Sequence, residues 1–151
     1  MLRQLSDFKA DALVKGILDI VKAGKAVLCE KPFASNAAEA RSMEHVAAAT
    51  GRPLMEAFHY RYHPLGRRIA EIIGGGALGS LQAVDVGFEV PAALVPRDDI
   101  RFRLDLAGGA MMDVGAYGMN LLRLVTAGEP EVLSAQAQVV APGVDGAMHV
   151  R

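Results

Sequence analysis

The sequence predicts an α/β fold in two parts, the first built on a parallel sheet and the second on a mainly antiparallel one. Three observations carry this. Residues 10–58 alternate helix and strand patterns, as parallel strands joined by helical crossovers require. Residues 80–90 and 131–141 each alternate apolar and polar side chains, the period of a strand with one face buried. The change of texture falls near residues 58–63, which divides the chain into units 1–58 and 59–151.

In the first unit, Leu13, Ile17, Ile20 and Val21 recur at helical spacing, and Gly24 follows as a helix-ending residue. The run "KAVLCE" is then a short buried strand. Pro32 has no amide hydrogen for a sheet ladder, so this strand stops at Glu30 or Lys31. Asn36 is placed to cap the next helix, with Glu39 three residues on in a capping-box arrangement, and strong helix formers run to Gly51. The segment "PLMEAF" closes the unit as a second strand.

In the second unit, "HYRYHP" leads into the helix "LGRRIAEII", with Pro64 tolerated in its first turn and "GGGALG" ending it. "SLQAVDVGFEV" is expected to be a strand that buries Val84, Val86, Phe88 and Val90. A charged loop, "PRDDIRFRLDLAGG", precedes a helix of about fourteen residues that ends near Gly128 and Pro130. The last strand, "VLSAQAQVVA", places Leu133, Ala135, Ala137, Val139 and Ala141 on one face.

Composition narrows the function. The 151 residues are 52% hydrophobic, enough for one domain with a core or for pieces of two. With 16 Lys and Arg against 17 Asp and Glu, the net charge is -1 and no basic cluster marks a nucleic-acid surface. No apolar run approaches the ~20 residues of a membrane helix, and "MLRQLSDFKAD" lacks the apolar centre of a secretory signal. A cytoplasmic chain is expected, with no nucleic acid or membrane partner. Cys29 is the single cysteine, which excludes an intrachain disulfide and a cysteine zinc cage; no metal site is expected.

"GGGALG" satisfies G-x-G-x-x-G at Gly74, Gly76 and Gly79, the spacing of a dinucleotide-binding loop. Its context is reversed, because a phosphate-cradling loop follows a strand and opens a helix, whereas these glycines end a helix. The residues that point to chemistry lie elsewhere. Lys31 sits at the carboxyl end of a parallel-type strand, where ligands bind in open α/β sheets. On the later helix, Asp113, Tyr117, Asn120 and Leu124 fall within about one 60° stripe at 100° per residue. Asp113 also fits an N-cap, Tyr117 a half-buried anchor and Asn120 a satisfied interface amide, so each has a structural reading beside the functional one.

Four segments, "AGKAVLCEKPFASNAAEA", "GRPLMEAFHYRYHP", "GALGSLQAV" and "LAGGAMMDVGAYGMNLLR", together resemble the Gfo/Idh/MocA oxidoreductases. The likeness spans nearly all of residues 10–140 and rests on E-K-P followed, at a suitable separation, by Asp-x-Gly-x-Tyr. It implies a Rossmann domain that binds NAD or NADP, joined to an α/β domain whose mainly antiparallel sheet carries substrate and often builds a homo-oligomer. It implies hydride transfer between nicotinamide and a hydroxyl-bearing carbon of a sugar, polyol or dihydrodiol. By resemblance Glu30, Lys31 and Pro32 bind cofactor, and Lys31 stabilises the developing alkoxide. Tyr117 is then the general acid and base, its hydroxyl acidified by the Lys31 ammonium. Asp113 orients substrate or tyrosine, and Arg61, Asp113 and Asn120 contact substrate.

The resemblance departs at both ends. The strand and Gly-rich loop that open such a Rossmann domain have no counterpart before residue 10, and the family's sheet continues beyond "VDGAMHV". The expectation is a chain truncated at both ends, with open strand edges. The alternative function is a non-catalytic fragment, or a binding or oligomerisation module of that family.

Overall fold

A computed structural model describes residues 10–151, and the amino-terminal segment read above for a secretory signal lies outside the described residues, as does the Leu13 side chain. The first unit runs α1 (Ala10–Lys22), β1 (Val27–Cys29), α2 (Ala37–Thr50) and β2 (Leu54–Glu56). β1 and β2 pair in parallel with Val27 opposite Leu54 and Cys29 opposite Glu56. The two helices cover one face of this pair. Val14, Ile17, Val21, Cys29 and Met43 form a buried core there, lined by Leu18, Phe33, Val46 and Leu54. Ile20, expected among the inward residues of α1, is 47% exposed instead, because Val14, Ile17 and Val21 already fill the stripe that faces the sheet.

Local chemistry sets these boundaries. Gly24, at φ 81°, ends α1 in the left-handed region, where a side chain is strained. The Asn36 side chain accepts from the Ala38 and Glu39 amides, and Glu39 accepts in turn from the Ser35 amide. The reciprocal cap expected from the sequence is therefore present, displaced by one residue on the Glu39 side. Gly51 closes α2 at φ 63°, its N–H on the Ala47 and Ala48 carbonyls.

After a tight turn at His59–Tyr62 comes α3 (Pro64–Gly74), with Pro64 in its first turn and the His63 side chain accepting from the Leu65 amide. The glycines after Ile73 end that helix, as their reversed context predicts; Gly76 and Gly79 have positive φ. Residues 80–91 correct the sequence reading. Their alternation is visible, with Val84 and Val86 half-buried, but no strand forms there and no ladder partner is present among the described residues. The segment instead lies along the next helix, with Phe88 stacked on Tyr117 at 5.6 Å between centroids.

That helix begins as a wider π-type turn, Met111–Gly115, and continues as α4 (Ala116–Thr126). β3 (Ala135–Ala141) and β4 (Val144–Val150) then form an antiparallel hairpin. The face of β3 expected to be buried is exposed along nearly its whole length, with Val139 at 65%.

Candidate active site

The site lies where the two units meet. β1 ends at Cys29, and the loop after it carries Glu30, Lys31 and the cis peptide bond to Pro32. The loop is held from behind by β2: the Ala57 amide donates to the Cys29 carbonyl at 2.7 Å, and the Phe33 amide to Glu56 Oε1 at 2.9 Å. Burial pushes the Glu56 carboxyl up, and the Phe33 N–H partly offsets this.

Lys31 faces the other unit. Its ammonium donates to Asp113 Oδ1 at 2.6 Å and to the Asp113 carbonyl at 2.9 Å. It also stands over the Tyr117 ring, 4.9 Å from the centroid. With both side chains of the pair less than one fifth exposed, this ion pair is better shielded than Lys15–Asp19 on α1. The expected ammonium–tyrosine pairing is therefore a cation over a ring face, and the hydrogen bonds of Lys31 go to Asp113.

Asp113 does not cap its helix, contrary to one reading of the sequence. The helix starts earlier, and the Met111 amide at its start donates to Asp145 Oδ2 at 2.8 Å, a cap supplied by β4 from 34 residues away. Asp113 is freed for side-chain pairing. Its second oxygen accepts from Arg101 Nε at 2.6 Å, and Arg101 Nη1 reaches Asp99 Oδ1 at 3.0 Å. Burial opposes ionisation of Asp113, but the hydrogen bonds from Lys31 and Arg101 outweigh it and hold the carboxyl below its ordinary range.

Two turns beyond Asp113, in α4, Asn120 Oδ1 accepts from the Tyr60 hydroxyl at 2.7 Å, and the same hydroxyl reaches the Tyr117 carbonyl at 3.2 Å. Burial pushes the Tyr60 hydroxyl up. Phe58, His59, Tyr60 and Phe88 all lie within 6.1 Å of the Tyr117 ring, centroid to centroid. A cavity of about 210 Å³ opens beside Lys31, Pro32, Arg101, Gly108, Met112 and Asp113. A larger hollow of about 730 Å³ lies against α2 beyond Phe33 and contains none of the candidate residues.

Lys31, Asp113 and Tyr117 thus come together, while Asn120 lies on the same helix with its amide oxygen on Tyr60. Glu30 is exposed and Pro32 half-buried beside Lys31. Arg61 is exposed and makes no ion pair among the described residues. Nothing in the sequence marks Arg101 or Tyr60, since the first lies in a loop that reads only as charged and the second in a motif whose conspicuous residue is Arg61.

A strand-end loop on a parallel pair, meeting a helix from a second α/β unit, defines the class: a Rossmann-type part joined to a further α/β part. The comparisons are specific. A family model described as the GFO/IDH/MocA C-terminal domain matches residues 67–151, and one described as an oxidoreductase family with an NAD-binding Rossmann fold matches residues 14–58. The chain belongs to the Gfo/Idh/MocA family.

Among its relatives, trans-1,2-dihydrobenzene-1,2-diol dehydrogenase of Sus scrofa is 37% identical over 135 residues, covering 89% of this chain and 39% of the relative. D-xylose 1-dehydrogenase (NADP(+)) 2 of Haloferax volcanii is 39% identical over 127 residues, covering 83% and 38%. Among solved structures, an aldose-aldose oxidoreductase from Caulobacter crescentus complexed with glycerol aligns with a TM-score of 0.77 at 27% identity, covering 93% of this chain and 44% of that one. A 3-ketoreductase from Actinomadura kijaniata, in complex with NADP and TDP-benzene, aligns at 0.75 and 30%, covering 87% and 40%. The chain spans about two fifths of the length of these proteins.

Proposed function

We propose that this chain carries the reactive part of an NAD(P)-dependent oxidoreductase that moves a hydride between nicotinamide and a hydroxyl-bearing carbon of a sugar, polyol or dihydrodiol. One observation carries the reading: a shielded ammonium at a parallel strand's carboxyl end, 2.6 Å from Asp113 Oδ1 and 4.9 Å from the centre of the Tyr117 ring. The names of the relatives and structures above support it, since they include a dihydrodiol dehydrogenase, a xylose dehydrogenase, an aldose-aldose oxidoreductase and a 3-ketoreductase with NADP bound.

The chain's own residues divide the work. Lys31 places a positive charge where an alkoxide develops, and a preorganised charge needs no reorganisation during the reaction. Tyr117 takes or returns the hydroxyl proton. Asp113 fixes the ammonium. Asn120 contributes its amide N–H groups, which make no hydrogen bond of their own among the described residues, and Arg61 and Asp113 complete the substrate contacts. Glu30, Lys31 and Pro32 would hold the cofactor. When bound, NAD or NADP supplies the hydride acceptor or donor. The described residues offer no loop for its phosphates, because the glycines of G-x-G-x-x-G end α3 and the Gly108–Gly109 pair before the site helix follows no strand.

Residues 1–58 and 59–151 are proposed as the cofactor and substrate units. A homo-oligomer in the cytoplasm is proposed with them. Among the described residues no helix is long and apolar enough to cross a membrane. A second reading, a non-catalytic binding or oligomerisation module, is favoured by the exposed apolar face of β3.

Turnover decides between them. Lys31→Ala should lower kcat by about two to three orders of magnitude in the full-length protein. Tyr117→Phe, which keeps the ring under the ammonium, should do likewise without loss of folding. Near-normal turnover in both variants would remove the assigned chemistry, and absence of any NAD(P) turnover in the parent protein would favour the module.

A further inference from the structure

We infer that Arg101 is a positioning residue for the Lys31–Asp113 pair, and that Gly108 exists to let its backbone dock there. The inference rests on the oxidoreductase reading above and adds a residue to it. Arg101 belongs to a single turn, Ile100–Phe102, in a loop with little burial of its own. Three contacts fix it nonetheless. Its Nε donates to Asp113 Oδ2 at 2.6 Å, its Nη1 donates to Asp99 Oδ1 at 3.0 Å, and its carbonyl accepts from the Gly109 amide at 2.9 Å. Asp99 also accepts from the Arg101 amide at 2.9 Å, so the residue behind the guanidinium holds both ends of it.

The glycine pair explains how a surface turn comes so near the helix start. A Cβ on Gly108 would lie 2.6 Å from the carbonyl oxygens of both Ile100 and Arg101, a separation that real side chains do not show. On the other side of the turn, Gly109 packs against the Asp145 carboxylate that caps the helix. The "AGG" before the helix is therefore room for a backbone and not a hinge.

A carboxylate held at one oxygen rotates about its last side-chain bond; held at both, it has one orientation. Arg101 occupies Oδ2 and leaves Oδ1 for Lys31. The guanidinium is suited to this because its Nε and Nη groups donate at once in a fixed fork, which an ammonium does not do. It also shares the charge of Asp113, so that Lys31 keeps positive field for the oxygen it is to stabilise. Misplacing a reacting group by about 1 Å costs up to about a hundredfold in rate. An error in the orientation of Asp113 passes directly to the ammonium it holds.

The test uses the full-length protein and two readouts, turnover and the titration of Asp113 followed by carboxyl 13C NMR. Arg101→Ala should lower kcat about ten- to a hundredfold with little change in cofactor KM, and move the Asp113 midpoint upward. Arg101→Lys should restore the midpoint and only part of kcat, which separates charge from geometry. Gly108→Ala keeps the guanidinium but displaces the turn, and should reproduce the kcat loss. Thermal melting of each variant separates this from unfolding. If Lys31→Ala abolishes turnover while Arg101→Ala and Gly108→Ala keep kcat within twofold, the inference is overturned and the oxidoreductase reading stands. If Lys31→Ala is itself active, that reading fails and takes this inference with it.

Discussion

The first unit and the second are built on opposite economies of burial. Between α1 and β2, about fifty residues enclose Val14, Ile17, Val21, Cys29 and Met43 in one apolar core. From α3 to β4 a longer stretch buries Val144 fully and leaves Leu65, Phe88, Leu133, Val139 and Val140 largely exposed. The site draws on both, with Lys31 from the first and Arg101, Asp113 and Tyr117 from the second. What joins them is polar and aromatic: an ion pair, a tyrosine hydroxyl on Asn120, and rings around Tyr117. Such links are directional and shallowly buried. They specify geometry at the seam while the apolar core supplies stability to one side of it.

Met43→Ala is the largest blow to that contrast. Met43 is fully buried between α2 and the sheet, and its loss should cost about 2–5 kcal/mol by denaturant unfolding. A cost below about 1 kcal/mol would mean that the first unit holds no packed core.

Asp113→Asn comes next and probes the seam, with an expected loss of about 1–3 kcal/mol at neutral pH. The sign of its pH dependence follows from the depressed native carboxyl. Asp113 titrates lower in the folded chain than in the unfolded one, so its stabilisation is complete above the unfolded value, near pH 4, and fades as pH falls through the folded value. The substitution should flatten that acid limb of a stability curve measured against pH. Glu56, whose native carboxyl is raised by burial, acts in the opposite sense: its contribution is complete below its unfolded value and fades as pH rises through the folded one. An acid limb that survives Asp113→Asn unchanged would show that the seam pair is not coupled to folding.

Val139→Lys is the mildest. At 65% exposure it should change stability by no more than about 0.5 kcal/mol. It should still reduce self-association, because β3 and β4 pair only with each other among the described residues, and unpaired apolar edges recruit further strands. Light scattering coupled to size exclusion reads this. Equal association before and after the change would place the contact elsewhere.

The same contrast explains what the sequence disclosed. In α1, α2 and the two short strands the determinants are local: helical spacing, Asn36 with Glu39, Gly51 at the end, and Pro32 as a strand stop. Each acts within a few residues, and each is borne out to within a residue or two: β1 ends at Cys29, the Glu39 side of the cap falls on Ser35, and of the α1 stripe only Ile20 turns outward. The stripe carrying Asp113, Tyr117 and Asn120 was legible for the same reason. Residues 80–90 show the limit, since alternation records which side chains turn inward but not which strand, if any, lies alongside. Val84 and Val86 are half-buried, and Val86 lies against α4 at Gly118. The cap of the site helix is not legible because Asp145 lies far along the chain, and nothing within its own loop distinguishes Arg101 from Arg97 or Arg103.

Lys31 and Asp113 are 82 positions apart in the chain. Bringing such distant residues together costs about 4 kcal/mol of loop entropy, plus a constant. The α1–α2 packing and the β1–β2 pair close over much shorter separations and return apolar burial at once. These separations predict that the first unit condenses early and that the Lys31–Asp113 bridge forms late. Weakening that bridge, as in Asp113→Asn, should then speed unfolding and leave the folding rate nearly unchanged in stopped-flow kinetics. In that case the lifetime of the assembled site, more than its formation, depends on the ion pair.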